Sequence, residues 1–179
     1  MLFAFTLHYQ LPEHVTDPEA CLPLLADAGC DDAAVGIGVP GRIALEFARE
    51  APSADDAVQS ALAQLSRAIP GARLLEVAPD YVGLTDAAAL VRVTRQNLRQ
   101  RMVVHAHRFP PPVHQGSTAL WHLDDLIPWL RAEGGYHVDP SVAAVAAVAR
   151  RVNGVIEGER AGGGVPAGLR AAVREAAGA

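Results

Sequence analysis

Lysine is missing from this chain of 179 residues, and cysteine, tryptophan and methionine occur only twice each. Every basic residue is therefore arginine, and with so much alanine, glycine and valine this is what a GC-rich genome produces. Arginine usage by itself says nothing about nucleic acid; only its location does. Cys21 and Cys30 stand at the two ends of what reads as one helix, about 13 Å apart at a rise of 1.5 Å per residue, too far for a disulfide. They are expected to be free buried thiols. Long apolar runs are also missing, the longest falling far short of the roughly 18 residues that a membrane span needs. Residues 1–9 alternate polar and apolar side chains with no basic flank or cleavage site, so neither export nor membrane insertion is expected and the chain reads as cytoplasmic. Half of it is apolar, enough for a folded core of sizeable extent.

The formal charge of −5 is unevenly spread. Residues 1–80 hold 4 Arg against 12 acids, giving −8; residues 81–131 hold 6 Arg against 3 acids, giving +3; residues 132–179 hold 5 of each. The middle segment also carries His105, His107, His114 and His122. A −8 surface repels DNA and suits a protein partner or solvent, whereas the basic segment suits a polyanion.

Phe3, Phe5, Leu7 and Tyr9 alternate with Ala4, Thr6 and His8, the period of two of a half-buried strand. Asp17-Pro18-Glu19 then reads as a helix start, and Gly29 closes that helix. Residues 33–38 and 42–49 are strands joined into a hairpin by Val39-Pro40-Gly41. Ser53 caps a second helix with Asp55 and Asp56 in its first turn, Pro70-Gly71 stops it, and residues 73–77 close the set as a strand. The order β-α-β-β-α-β over residues 1–80 predicts a ferredoxin-like domain in an α+β protein, which says little about function.

After Pro79-Asp80 the pattern changes. Thr85 begins a short helix with Asp86, Ala87 and Leu90, and Thr94 caps a second one in which Leu98 and Met102, four apart, face inward. The opposite face holds Arg95, Gln96, Arg99 and Gln100. Pro110-Pro111-Pro112 after Arg108-Phe109 forces an extended arm. The chain turns at Gln115-Gly116-Ser117, returns as a strand over 119–123, and enters a third helix at Asp124-Asp125 with Leu126, Trp129 and Leu130. Two short helices, a proline-flanked hairpin and a closing helix predict a winged helix-turn-helix over residues 81–133. Arg pairs with guanine O6 and N7 and Gln or Asn with adenine N6 and N7, so an exposed helix bearing Thr94, Arg95, Gln96, Asn97, Arg99, Gln100 and Arg101 has the donors and acceptors to read a major groove. The Thr94 hydroxyl also suits a cap or a phosphate, and Thr85 at the start of the preceding helix joins the candidate contacts.

The ordered set Gly83-Leu84-Thr85-Asp86-Ala87-Ala88-Ala89-Leu90, Val93-Thr94-Arg95-Gln96-Asn97, Phe109-Pro110-Pro111-Pro112-Val113 with Gly116, and Leu120-Trp121-His122-Leu123-Asp124-Asp125-Leu126-Ile127-Pro128-Trp129-Leu130 resembles the MerR/excisionase superfamily, most of all its AlpA-type prophage regulators. The resemblance covers about fifty residues. It implies that residues 94–101 form the recognition helix and that His114, Gln115, Ser117 and Thr118 form the wing tip of a transcriptional regulator or recombination accessory factor. Where the family usually has glycine in the turn, this chain has Arg92, which would have to take a left-handed conformation at some cost.

Other features read more plainly. Trp121 and Trp129 suit a core. His105-x-His107 lacks a further ligand at metal spacing. Gly36-x-Gly38-x-x-Gly41 imitates a dinucleotide fingerprint, but Pro40 and a hairpin stand where the helix should begin. The adjacent acids Asp31-Asp32 and Asp55-Asp56 suit capping, and no serine has a nucleophile context. The expected protein is thus not an enzyme and needs no cofactor or metal. It is a sequence-specific binder of double-stranded DNA, nucleoid-associated when bound, and a homodimer, since one small module makes few contacts. The valine stripe of a helix from Pro140 to about Ile156, within residues 134–160, is the expected dimer element, with the acidic domain as the alternative. A Gly-rich break and a weak helix complete residues 161–179. Two rivals remain: an antitoxin-like or adaptor protein whose N-terminal domain holds a protein partner, and a phage recombination or packaging accessory protein.

Overall fold

The alternation at the start of the chain becomes strand β1, Leu2–Gln10, in the computed structural model, which describes residues 1–162 together with 164, 166, 169, 172, 173 and 176. Its odd-numbered side chains Phe3, Phe5, Leu7 and Tyr9 are buried. Strand β2 is Ala33–Gly36, β3 is Arg42–Glu50 and β4 is Arg73–Ala78. They form one antiparallel sheet in the order β2-β3-β1-β4, so each helical connection steps over a neighbouring strand. Helix α1, Cys21–Asp27, links β1 to β2, and α2, Ala54–Ala68, links β3 to β4. The Ser53 hydroxyl accepts from the Asp56 amide at 3.1 Å, the cap expected there.

The first connection departs from expectation. One helix from Pro18 to Gly29 was the simplest reading, but Pro18–Ala20 is a 3-10 turn and the α-helix proper has seven residues. Pro23 has no amide to offer the Glu19 carbonyl, so an α-helical ladder cannot run through the joint. Cys21 and Cys30 are buried and unbridged.

The second half begins with β5, Tyr81–Val82, and continues through α3, Leu84–Leu90, and α4, Arg95–Val104. Strand β6, Trp121–His122, pairs with β5 and leads directly into α5, Leu123–Ala132. The return strand expected over 119–123 is thus short, and its partner is β5. The prolines at 110–112 have no amides to donate, so among the described residues the backbone pairing of arm and return is confined to its tip, where Leu120 bonds Val113 and His114. The arm is held by rings instead: Phe109 packs edge-on against Trp121 and Trp129 at 5.8 and 4.7 Å, and the Trp121 indole donates to the Pro110 carbonyl at 2.9 Å. Both tryptophans are core residues.

Helix α6, Pro140–Arg160, is longer than expected, and the valine stripe expected to serve as a dimer seam within residues 134–160 is packed inside the chain. Val145, Val148 and Ala149 are buried with the sheet and α2, while Ala146, Val142 and Ala143 pack into the core of the second half. The stripe is consumed within the chain, because the β1–β4 side of the sheet needs an apolar cover that α1 and α2 do not supply. One helix therefore belongs to two cores. A buried polar network pins the junction. The Asn153 side chain accepts from the Val77 amide at 2.8 Å and donates to the Val77 carbonyl and to Asp80 Oδ2 at 2.9 and 2.7 Å. Asp80, fully buried, also holds His122 Nδ1 at 2.7 Å. Among the described residues no helix is long and apolar enough to cross a membrane. The break and weak helix expected over 161–179 lie for the most part outside the described residues.

Candidate nucleic-acid interface

The angle between α3 and α4 is set by four residues. Arg92 adopts φ +56°, the left-handed conformation that the sequence demanded of a non-glycine residue. Its amide bonds the Ala89 carbonyl at 3.1 Å and the Val93 amide bonds the Ala88 carbonyl at 3.0 Å. These are the paired closures of a Schellman helix end, in which glycine usually occupies the Arg92 position. Thr94 then starts the next helix, its hydroxyl accepting from the Asn97 amide at 3.1 Å. The Thr94 oxygen is thereby committed to capping.

Helix α4 rests on α3 through Leu98, which is fully buried, and through the half-buried Met102. The rest of its surface divides into three strips. Arg95 and Arg99 lean toward the turn at 115–119, where they line one concavity of about 620 Å³ with Thr85, Asp86, Ser117 and Thr118. Gln96 and Gln100 are exposed on the outermost strip. Asn97 and Arg101 lie on the far side and are occupied: Asn97 Oδ1 accepts from the Tyr136 hydroxyl at 3.2 Å, and Arg101 donates to the Gly134 carbonyl at 3.3 Å over the Tyr136 ring. The eight-residue polar segment is thus not one surface. Arg95, Gln96, Arg99 and Gln100 share an open face with Thr85, Ser117 and Thr118, whereas Asn97 and Arg101 brace the link from α5 to α6.

His114 and Gln115 are exposed on the turn but do not line the concavity. A Cβ at Gly116 would stand 2.7 Å from His114 Nε2, so this glycine lets the imidazole fold back over the turn. Among the described residues neither Arg95 nor Arg99 makes an ion pair, in contrast to Arg108, which pairs with Glu133 at 2.9 Å. Two unpaired guanidiniums beside a helix start and three hydroxyls form a cationic, donor-rich trough, suited to oxyanions and to the acceptor edges of bases. Asp86 sits in it too, its carboxylate accepting from the Gly83 amide at 2.9 Å. The sequence reading took this acid for a first-turn residue and missed that it lines the trough. Among the described residues no group of three or more His, Cys, Asp or Glu side chains is placed to hold a metal ion. No protein-family model, no curated protein and no solved structure matches this chain.

Proposed function

We propose that the chain is a sequence-specific double-stranded DNA-binding regulator that lays α4 in a major groove and rests the turn at 114–118 on the adjacent backbone. The observation that carries the reading is the open strip of α4: Arg95, Gln96, Arg99 and Gln100 all face solvent, and the arginines share one trough with Ser117 and Thr118. Solvent-facing long donors on a short helix, flanked by a turn with hydroxyls, provide base readout and backbone grip in one surface. The likeness of residues 83–131 to MerR/excisionase winged helices agrees with this use, and a ferredoxin-like domain over residues 1–80 agrees with the strand order. The regulator is read as a non-enzymatic homodimer. With the valine stripe of α6 spent inside the chain, its seam falls to the acidic sheet domain.

The test is selection of a duplex from a random library, followed by anisotropy titrations across a salt series. Log affinity is expected to fall linearly with log salt, and the double substitution Arg95→Ala, Arg99→Ala is expected to cost about 2 kcal/mol or more. Both side chains are exposed, so folding should be retained. Binding as tight as the parent's would remove α4 from the interface.

A further inference from the structure

A basic concavity lies against the acidic N-terminal half. It lies on the face of the sheet that no helix covers, at the end where β1 leaves the sheet. The strand register places Gln10 between Arg42 on β3 and Arg73 on β4, and the next row places His8 between Ala44 and Glu76. These rows alternate with the buried ones, so Arg42, Arg73 and His8 share the open face. The register slips between His8 and Tyr9, leaving Leu75 as an extra, bulged residue on β4. Arg160, in the last turn of α6, donates to its carbonyl at 2.8 Å. A bulge and a helix end thus bring a third arginine round the sheet edge to the other two.

The resulting hollow measures about 620 Å³ and is lined by Arg42, Arg73, Arg160, His8 and Glu76 beside the glycine-rich turn after β2. That volume is typical of small-molecule sites. Three arginines less one glutamate leave +2 with His8 neutral; of these Arg42, Arg73 and Glu76 belong to the segment 1–80 whose sum is −8, and Arg160 comes from outside it. Burial holds the Glu76 carboxyl above its ordinary range, with Asp80 adding to the rise and His8 and Arg160 opposing it. Among the described residues, Arg42 and Arg73 make no ion pair and no side-chain hydrogen bond. Cations gathered in a hollow without partners repel one another, and a bound anion relieves this.

We propose that this hollow binds a small phosphate monoester. A phosphate monoester concentrates about two negative charges and three acceptor oxygens on one atom. Here three guanidiniums approach from three different elements, β3, β4 and α6, and their forks match such oxygens. A long polyanion fits less well, because the same face of β3 continues from Arg42 to the exposed carboxylates of Glu46 and Glu50. The site stands apart from α4, and its assignment does not rest on the DNA reading.

Isothermal titration with ribose 5-phosphate, at fixed ionic strength and without DNA, tests it. Saturable one-to-one binding is expected, weakened about tenfold or more by Arg73→Ala and by Arg42→Ala, each of which removes one charged donor. Glu76→Gln removes the one opposing charge and should tighten binding several-fold, a gain that unfolding cannot mimic. Unaltered thermal unfolding of the arginine variants in the absence of ligand checks their folding. The proposal is overturned by absence of saturation, by binding indifferent to these arginines, or by malate or sulfate binding as tightly as the ester. It is also overturned if a single-stranded oligonucleotide binds through Arg42 and Arg73 while the ester does not.

Discussion

Substituting Asn153 by alanine should be the most damaging single change at the junction of the two cores. Asn153 is 3% exposed and makes three hydrogen bonds, two with the backbone of Val77 and one with the Asp80 carboxylate. At about 1 kcal/mol net for each bond the direct loss is about 3 kcal/mol, and leaving a buried amide and part of a buried carboxylate without partners adds about 1–3 kcal/mol. A water molecule entering the space left behind would return some of this, so about 3–5 kcal/mol is expected. Whole domains of this kind are stable by only about 5–15 kcal/mol, which makes the change large yet survivable. The assay is urea denaturation followed by circular dichroism and by tryptophan fluorescence. The first reports on all elements and the second on Trp121 and Trp129 in the second core. The midpoint should fall strongly in both signals together, because α6 serves both cores. Arg151→Ala is the control: its ion pair with Asp55 joins side chains 61% and 68% exposed, and such surface pairs contribute well under 1 kcal/mol. An Asn153→Ala variant that loses less than about 1 kcal/mol, or no more than the control, would refute the assignment of the junction to this network.

Arg92→Gly should raise stability by roughly 0.5–1 kcal/mol, since glycine takes the +56° backbone angle without strain; a lower midpoint in urea would contradict the strain. Asp32 is held below the ordinary carboxylate range chiefly by its two-pronged hydrogen bond from Arg49, at 2.7 and 2.8 Å. A depressed folded pKa contributes stability that is present above the unfolded value near 3.8 and is lost as pH falls through the folded one. The stability gap between parent and Asp32→Asn should therefore narrow as pH drops from about 5 toward that lower value. A gap constant with pH would show that the pair is not ionic in character.

Local chemistry made much of the fold legible. Caps at Asp17, Ser53 and Thr94, the alternation of β1 and the turn at Val39-Pro40-Gly41 are written in short stretches whose residues act on their own backbone. Partnership is not written locally. The valine stripe of α6 announces that one side is buried, but an identical stripe would serve a second copy of the chain or, as here, a sheet made of residues more than sixty positions earlier. Asn153 is the signal the sequence hides: a polar residue one position after the stripe's Val152 needs buried partners, and Val77 and Asp80, the latter only a boundary mark in the sequence, are those partners. Within the candidate interface, Asn97 and Arg101 look no different from Gln96 and Arg99 by residue type. Tyr136 decides between them, and its position depends on the turn at Gly134 that follows α5. The gathering of Arg42, Arg73 and Arg160 is likewise invisible without strand register, being spread over most of the chain.

The double membership of α6 has a consequence for biosynthesis. A nascent chain halted before residue 140 has all six of the described strands and five of the six named helices, yet neither of its cores is complete. The sheet then shows greasy surface to the cell, and so does the helical half, until the final long helix emerges and docks across both. Maturation therefore comes as one late event, and neither half can be cut out as a portable cassette without carrying that helix along.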